Sequence, residues 1–175
     1  MSKILLVVAH PNIATSRANK AAVAALEVLP NVTVHHLYHE YPDFKIDVAR
    51  EQALLLAHDA VVLQFPFFWY SSPSLLKEWF DTVWAFGFAF GPNGTALSGK
   101  KCKVSVTMGS PEAAYSAEGF NLYTMQELLR PLEMTAALCK MDYQTPHCIG
   151  GAKRISDEEL AFSIEKLKAQ ISEAF

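Results

Sequence analysis

Several things are scarce in this 175-residue chain, and each scarcity narrows what it can be. Cysteine occurs only three times, as Cys102, Cys139 and Cys148, an odd number without CxxC spacing, so neither a disulfide framework nor a zinc site is indicated. Charge of one sign is missing too: the formal net charge is −3 with no basic block, which argues against nucleic acid or an anionic membrane surface as the main partner. Long hydrophobic runs are absent, since ILLVVA and AVVLQFPFF fall far short of a membrane span. The start, MSKILLVVAH, lacks a small-residue cleavage site and reads as a first strand, not a signal peptide. A cytoplasmic protein is expected. Neither GxGxxG nor GxxxxGK[ST] is found, which makes a Rossmann dinucleotide site or a nucleotide triphosphatase unexpected.

What the chain does have is a 51% hydrophobic content arranged in alternating periods, enough for one domain over residues 1–175. A continuous apolar run at 3–9 predicts a strand buried on both faces, and further strands are predicted at 32–38, 60–66, 103–108 and near 143–149. Helical patterns cover 16–29, 48–57, 75–84, about 121–140 and 156–174. The last helix opens with Ser156 and has Glu159 three residues on, a capping box. Strand–helix alternation predicts right-handed crossovers and a parallel sheet covered on both sides. The expected fold is α/β: a flavodoxin-like three-layer sandwich on a five-stranded parallel sheet of order 2-1-3-4-5. Ligands on such sheets bind beyond the carboxyl ends of the strands, at the switch point between the first and third.

Three loops meet there. In AHPNIATSRANK (9–20), His10 ends the first strand, and Thr15, Ser16, Arg17, Ala18 and Asn19 open the next helix. Free N–H groups and the positive end of the helix dipole suit a phosphate, with the hydroxyls of Thr15 and Ser16 and the charge of His10 or Arg17 completing an anion cradle. An ordinary N-cap with a surface arginine fits that segment equally well. In the second loop, five aromatics fall within positions 65–70, around Pro66, Phe67, Phe68 and Trp69. They suit a flat heterocycle, and they equally suit core packing or a dimer interface. The third, TMGSPEAAYS (107–116), offers amides from Thr107, Gly109 and Ser110 and a phenol from Tyr115. His35, His36, His39 and Glu40 suggest a metal, but His35 and His36 point to opposite faces of a strand, so polar surface roles are expected. His147 beside Cys148 is expected to be structural.

Taken together, VVAHP with SRAN (16–19), YPDFKIDVAREQ (41–52), QFPFFWYSSPSLLKEWFD, GFAFGPNGTALSGK (87–100), TMGSPEAAY (107–115) and ELLRPLEMTAALCKM (127–141) resemble the flavodoxin-like NAD(P)H:quinone oxidoreductases. The resemblance is to the bacterial branch that includes ancillary proteins of glutathione-gated potassium efflux systems. It implies FMN or FAD as cofactor, NADH or NADPH as reductant, and ping-pong two-electron (hydride) transfer to a quinone or similar electrophile. It also implies a homodimer. His10 and Ser16–Asn19 would hold the flavin phosphate region, Pro66–Trp69 would line the isoalloxazine, and Thr107–Ser110 its polar edge. Tyr115 matches a tyrosine that helps stabilise the reduced flavin. The chain departs from the pattern where Met108 and Ser110 replace Thr and Gly, and where Asn121 aligns with a histidine that assists the tyrosine; an amide donates hydrogen bonds but cannot titrate. The alternatives are a flavin-bound regulatory subunit of a potassium efflux transporter, at the inner face of the membrane, with incidental reductase activity, or an electron-shuttling flavodoxin.

Overall fold

The computed structural model describes residues 2–174. Five strands, β1 (Ile4–Val8), β2 (Val32–His36), β3 (Ala60–Pro66), β4 (Lys101–Thr107) and β5 (Asp142–Ile149), form one parallel sheet in the order β2-β1-β3-β4-β5. Seven helices flank it: α1 (Arg17–Glu27), α2 (Leu37–Glu40), α3 (Val48–Ala57), α4 (Ser74–Val83), α5 (Met125–Leu128), α6 (Arg130–Leu138) and α7 (Asp157–Ala174). Every residue of β1 and β3 is buried, as central parallel strands require.

The pleat sends alternate side chains to two cores. Leu5, Val7, Leu63 and Phe65 face the layer holding α3, α4 and α6, while Ile4, Leu6, Val8 and Val62 face α1 and α7. Helix α4 buries Leu75, Leu76, Trp79, Phe80 and Val83, the face its period predicts. Each fully buried aliphatic side chain contributes roughly 1.5–3 kcal/mol of transfer free energy. One carboxylate sits in that layer. Glu51, with no exposed surface, accepts hydrogen bonds from Trp79 Nε1 (2.7 Å), Tyr41 Oη (2.5 Å) and His35 Nε2 (2.9 Å). Burial pushes its pKa up, but these donors outweigh burial and hold it below the ordinary carboxylate value.

Two boundaries differ from expectation. The second strand stops at His36, because residues 37–40 turn into the short helix α2. The helix expected over 121–140 begins only at Met125, where Thr124 and Glu127 form a capping box, and it breaks at Leu129 ahead of Pro131. Residues 121–124 are irregular, with Leu122 in the left-handed region at φ 62°. Asn121 therefore stands on a loop.

Candidate functional site

The carboxyl ends of β3 and β4 are laced to the start of α1 by one buried side chain. Asn19, in the first turn of α1, donates from Nδ2 to Thr107 Oγ1 (2.7 Å) and Ser16 Oγ (3.0 Å), and accepts from Gln64 Nε2 (2.8 Å). Ser16 occupies the N-cap position of α1, yet its side chain makes no capping bond. The first-turn N–H groups, which have no intrahelical acceptor, thus stay uncapped by it. Thr15 Oγ1 instead donates to Asn12 O (3.1 Å). His10 accepts the Asn12 N–H at Nδ1 (3.0 Å), so a neutral imidazole carries its proton on Nε2. Burial lowers the His10 pKa, which favours that neutral form. Arg17 turns its guanidinium away to α7, donating to Ile155 O (2.6 Å) and pairing with Asp157. Only its backbone belongs with the cradle in this arrangement. Ala18 is buried against the sheet.

The aromatic loop follows Pro66. Phe67 N–H donates to Thr107 O (2.8 Å), and Phe68 and Ser71 exchange backbone bonds of 3.0 and 2.9 Å. That exchange closes a turn in which Trp69 and Tyr70 both take left-handed backbone, at φ 49° and 60°. For bulky non-glycine residues each such position costs on the order of 1–3 kcal/mol, and strain of this kind clusters at functional sites. The aromatics have separate fates. Phe67 is half-buried, edge-on to Tyr70 (6.3 Å) and Tyr115 (6.4 Å); Phe68 is edge-on to His10 (6.3 Å); Trp69 is 94% exposed. Core packing accounts for Phe67 in part and for Trp69 not at all.

The third loop packs on the end of β5. Met108 N–H donates to Ile149 O (2.9 Å), its O accepts the Ala152 N–H (2.9 Å) and its side chain is buried in the core, so Met108 holds the loop and its backbone N–H is already engaged. Ser110 O accepts the Gly151 N–H (2.8 Å). Gly150 permits this approach, since a Cβ there would lie 2.5 Å from Glu112 N. A Cβ at Gly109 would meet nothing within 4 Å, leaving that face open. Burial pushes the Tyr115 phenol above its ordinary pKa; a hydrogen bond with Ser110 pulls the other way, and nearby Tyr70 adds to the rise. Tyr70 Oη donates to Asn121 Oδ1 (3.2 Å), joining the aromatic loop to the segment after Tyr115. Asn121 Nδ2 is buried without a partner among the described residues.

Outside this cluster the polar residues have structural occupations. His35 is bound to Glu51, and His36 stacks on His39 with ring centroids 5.0 Å apart. Among the described residues no group of three His, Cys, Asp or Glu is placed to hold a metal. His147 bonds Gln170 (3.2 Å) and Ser163 (3.1 Å) of α7. The cysteines are free, and burial raises the thiol of Cys102 to about 12 and that of Cys148 to about 11, so neither is poised as a thiolate. An apolar cavity of about 390 Å³ lies on the other side of the aromatic loop, between α4 and α6, bordered by Phe65, Phe67, Tyr70, Trp84 and Leu132. Sequence reasoning missed Gln64 and Tyr70. Gln64 was readable as an unexpected amide inside an otherwise apolar strand.

The donor set fits a flavin phosphate ester: an uncapped helix start, two hydroxyls whose oxygens already accept from Asn19, and an imidazole N–H. Gly109 and Ser110 form no backbone hydrogen bond through their N–H groups among the described residues, as the polar edge of a ring would require. The fold is that of a flavodoxin-type α/β protein, with the start of α1 and the aromatic loop at the carboxyl end of its sheet. A family model described as flavodoxin-like fold matches residues 2–174, and the chain belongs to that family. It is 51% identical over 160 residues, 91% of this chain and 87% of the other, to the glutathione-regulated potassium-efflux system ancillary protein KefG of Cronobacter sakazakii. Among solved structures it is similar to general stress protein 14 of Treponema denticola in complex with FMN, at TM-score 0.90 and 40% identity, covering 97% of this chain and 98% of that one. It is also similar to an NADPH-quinone reductase from P. pentosaceus, at TM-score 0.88 and 34% identity, covering 97% and 96%.

Proposed function

We propose that this protein is a flavin-dependent NAD(P)H oxidoreductase that binds FMN and reduces quinones or similar electrophiles by two electrons in a ping-pong cycle. The observation that carries this reading is the Asn19 network, which sets two hydroxyls and an uncapped helix start beside an aromatic loop at the switch point of the sheet. A bound flavin would supply two-electron exchange between a reduced nicotinamide and the acceptor. The chain's residues bind and orient. The first turn of α1, with Ser16 and His10, holds the phosphate; Pro66, Phe67, Phe68 and Trp69 wall the ring; the backbone of Thr107–Ser110 meets its polar edge. Tyr115, kept protonated by its raised pKa, donates a hydrogen bond where negative charge develops. Asn121 supplies a further donor that does not titrate.

The partner surface supports a homodimer. Trp69, Phe120 and Phe86 are 94%, 86% and 71% exposed, an amount of bare aromatic surface that a second copy would cover. The likeness to KefG favours a second reading: a flavin-bound ancillary subunit that docks on a potassium efflux transporter at the cytoplasmic face, with reductase activity incidental. Tyr115→Phe separates the two, because it should harm reduction and spare co-purification with a transporter. The direct test of the cofactor is reconstitution: apoprotein mixed with FMN and gel-filtered should retain stoichiometric flavin absorbance. Flavin lost entirely in the small-molecule fraction would overturn the reading.

A further inference from the structure

We propose that Gln64 is a positioning residue of the anion cradle: acting through Asn19, its side-chain amide sets the hydroxyls of Ser16 and Thr107 as hydrogen-bond donors to a flavin phosphate. The inference rests on the flavin reading above and deepens it.

Gln64 occupies an interior position. It lies on β3 with no exposed surface, beside Val8 on β1 and Ser105 on β4 in the sheet register. Its face of the sheet carries Val8, Val62 and the apolar stripe of α1 on one side and the polar Ser105 and Thr107 of β4 on the other. A buried amide there is costly. Gln64 Oε1 and Ser105 Oγ are both buried with no partner among the described residues, and an unpaired buried polar atom costs about 1–3 kcal/mol. An aliphatic residue would remove that cost but leave Asn19 Oδ1 without its donor, so the amide is tied to Asn19.

What the amide does is fix a direction. Gln64 Nε2 donates to Asn19 Oδ1, so with Gln64 in this sense the Asn19 amide has one sense in which its own oxygen and nitrogen are both matched. Turning it over would set N–H against N–H. In the matched sense Asn19 Nδ2 donates to both hydroxyl oxygens, at 3.0 Å for Ser16 and 2.7 Å for Thr107. An oxygen that accepts from below keeps its own O–H proton for an acceptor elsewhere. With both amides in this sense the two hydroxyls keep their protons for an outside acceptor, the polarity a phosphate needs. Were Asn19 free to turn, its carbonyl would draw one of those protons inward.

The test compares FMN with riboflavin, which differ only by the phosphate, titrated into apoprotein by quenching of flavin fluorescence. Wild type should prefer FMN. Gln64→Met, close in volume, should weaken FMN by about tenfold or more while leaving riboflavin within about twofold, the signature of a lost hydrogen bond to a charged group. Ser16→Ala should weaken FMN by part of this in wild type and add little in the Gln64→Met background, because Ser16 is one of the two hydroxyls on which Gln64 acts. Asn19→Asp probes the relay without altering Gln64: a carboxylate accepts from both hydroxyls, turning their protons inward, and should abolish the preference for FMN. A melting temperature of each apo-variant within a few degrees of wild type guards against simple unfolding, and Asn19→Asp carries the test should Gln64→Met not fold. An unchanged FMN-to-riboflavin ratio in the folded variants, or a parallel loss of both ligands, overturns the proposal while leaving the flavin reading standing. Wild type that binds neither flavin overturns both.

Discussion

The indole N–H of Trp79 reaches Glu51 Oε2 across 2.7 Å, and neither residue has any exposed surface. This bond ties α3 to α4, the helix that follows the aromatic loop, inside an otherwise apolar layer. Glu51→Ala would strand Trp79 Nε1, Tyr41 Oη and His35 Nε2 together, so a loss of about 3–5 kcal/mol is expected in urea unfolding. Trp79→Phe removes one donor and some volume and should cost less. A Glu51→Ala loss below about 1 kcal/mol would contradict the network's structural role.

Acid should destabilise the fold before the carboxylates titrate. Burial, with Lys103 nearby, lowers the His147 pKa to about 4 from an ordinary 6.5. The unfolded chain takes up that proton first as pH falls. The stability linked to neutral His147 is thus complete above about 6.5 and is lost progressively down to about 4. His10 and His36, also lowered by burial, add in the same direction. Melting temperatures across this range should fall for wild type and fall less steeply for His147→Gln.

Trp69 sets stability against binding. Its side chain is almost wholly exposed and its backbone is left-handed, so Trp69→Gly should stabilise the apoprotein by about 1 kcal/mol. The same change removes part of the proposed ring wall, and flavin affinity should fall several-fold. Thermal melts and a flavin titration on one preparation check both halves; tighter flavin binding would count against the wall.

The exposed aromatics predict self-association. Sedimentation at micromolar concentration should give a dimer for wild type, and Phe120→Glu, which places a charge on a bare aromatic position, should shift it towards monomer. A monomer at every concentration would remove the homodimer from the account.

The sheet was legible because β1 and β3 are continuous apolar runs, and α7 because Ser156 and Glu159 spell out its start; Ser156 N–H donates to Glu159 Oε2 (3.0 Å) and Glu159 N–H to Ser156 Oγ (3.2 Å). The start of α5 was written in the same code at Thr124 and Glu127, but the apolar period running from 121 masked it. Local pattern also placed His10, Ser16 and the aromatic loop at one end of the sheet. It could not orient them. The turn of Arg17 towards α7 depends on Ile155 and Asp157, and the role of Gln64 on Asn19, partners 138, 140 and 45 positions away in the chain. Tyr70 and Asn121, 51 apart, meet only because both loops fold over the same strand ends.

The central claim is tested most directly by an anaerobic absorbance titration of the FMN-reconstituted protein. The account predicts that NADH or NADPH bleaches the flavin band near ~450 nm and that one equivalent of 1,4-benzoquinone restores it. A bound flavin that neither nicotinamide bleaches would contradict the oxidoreductase reading and leave the ancillary-subunit one.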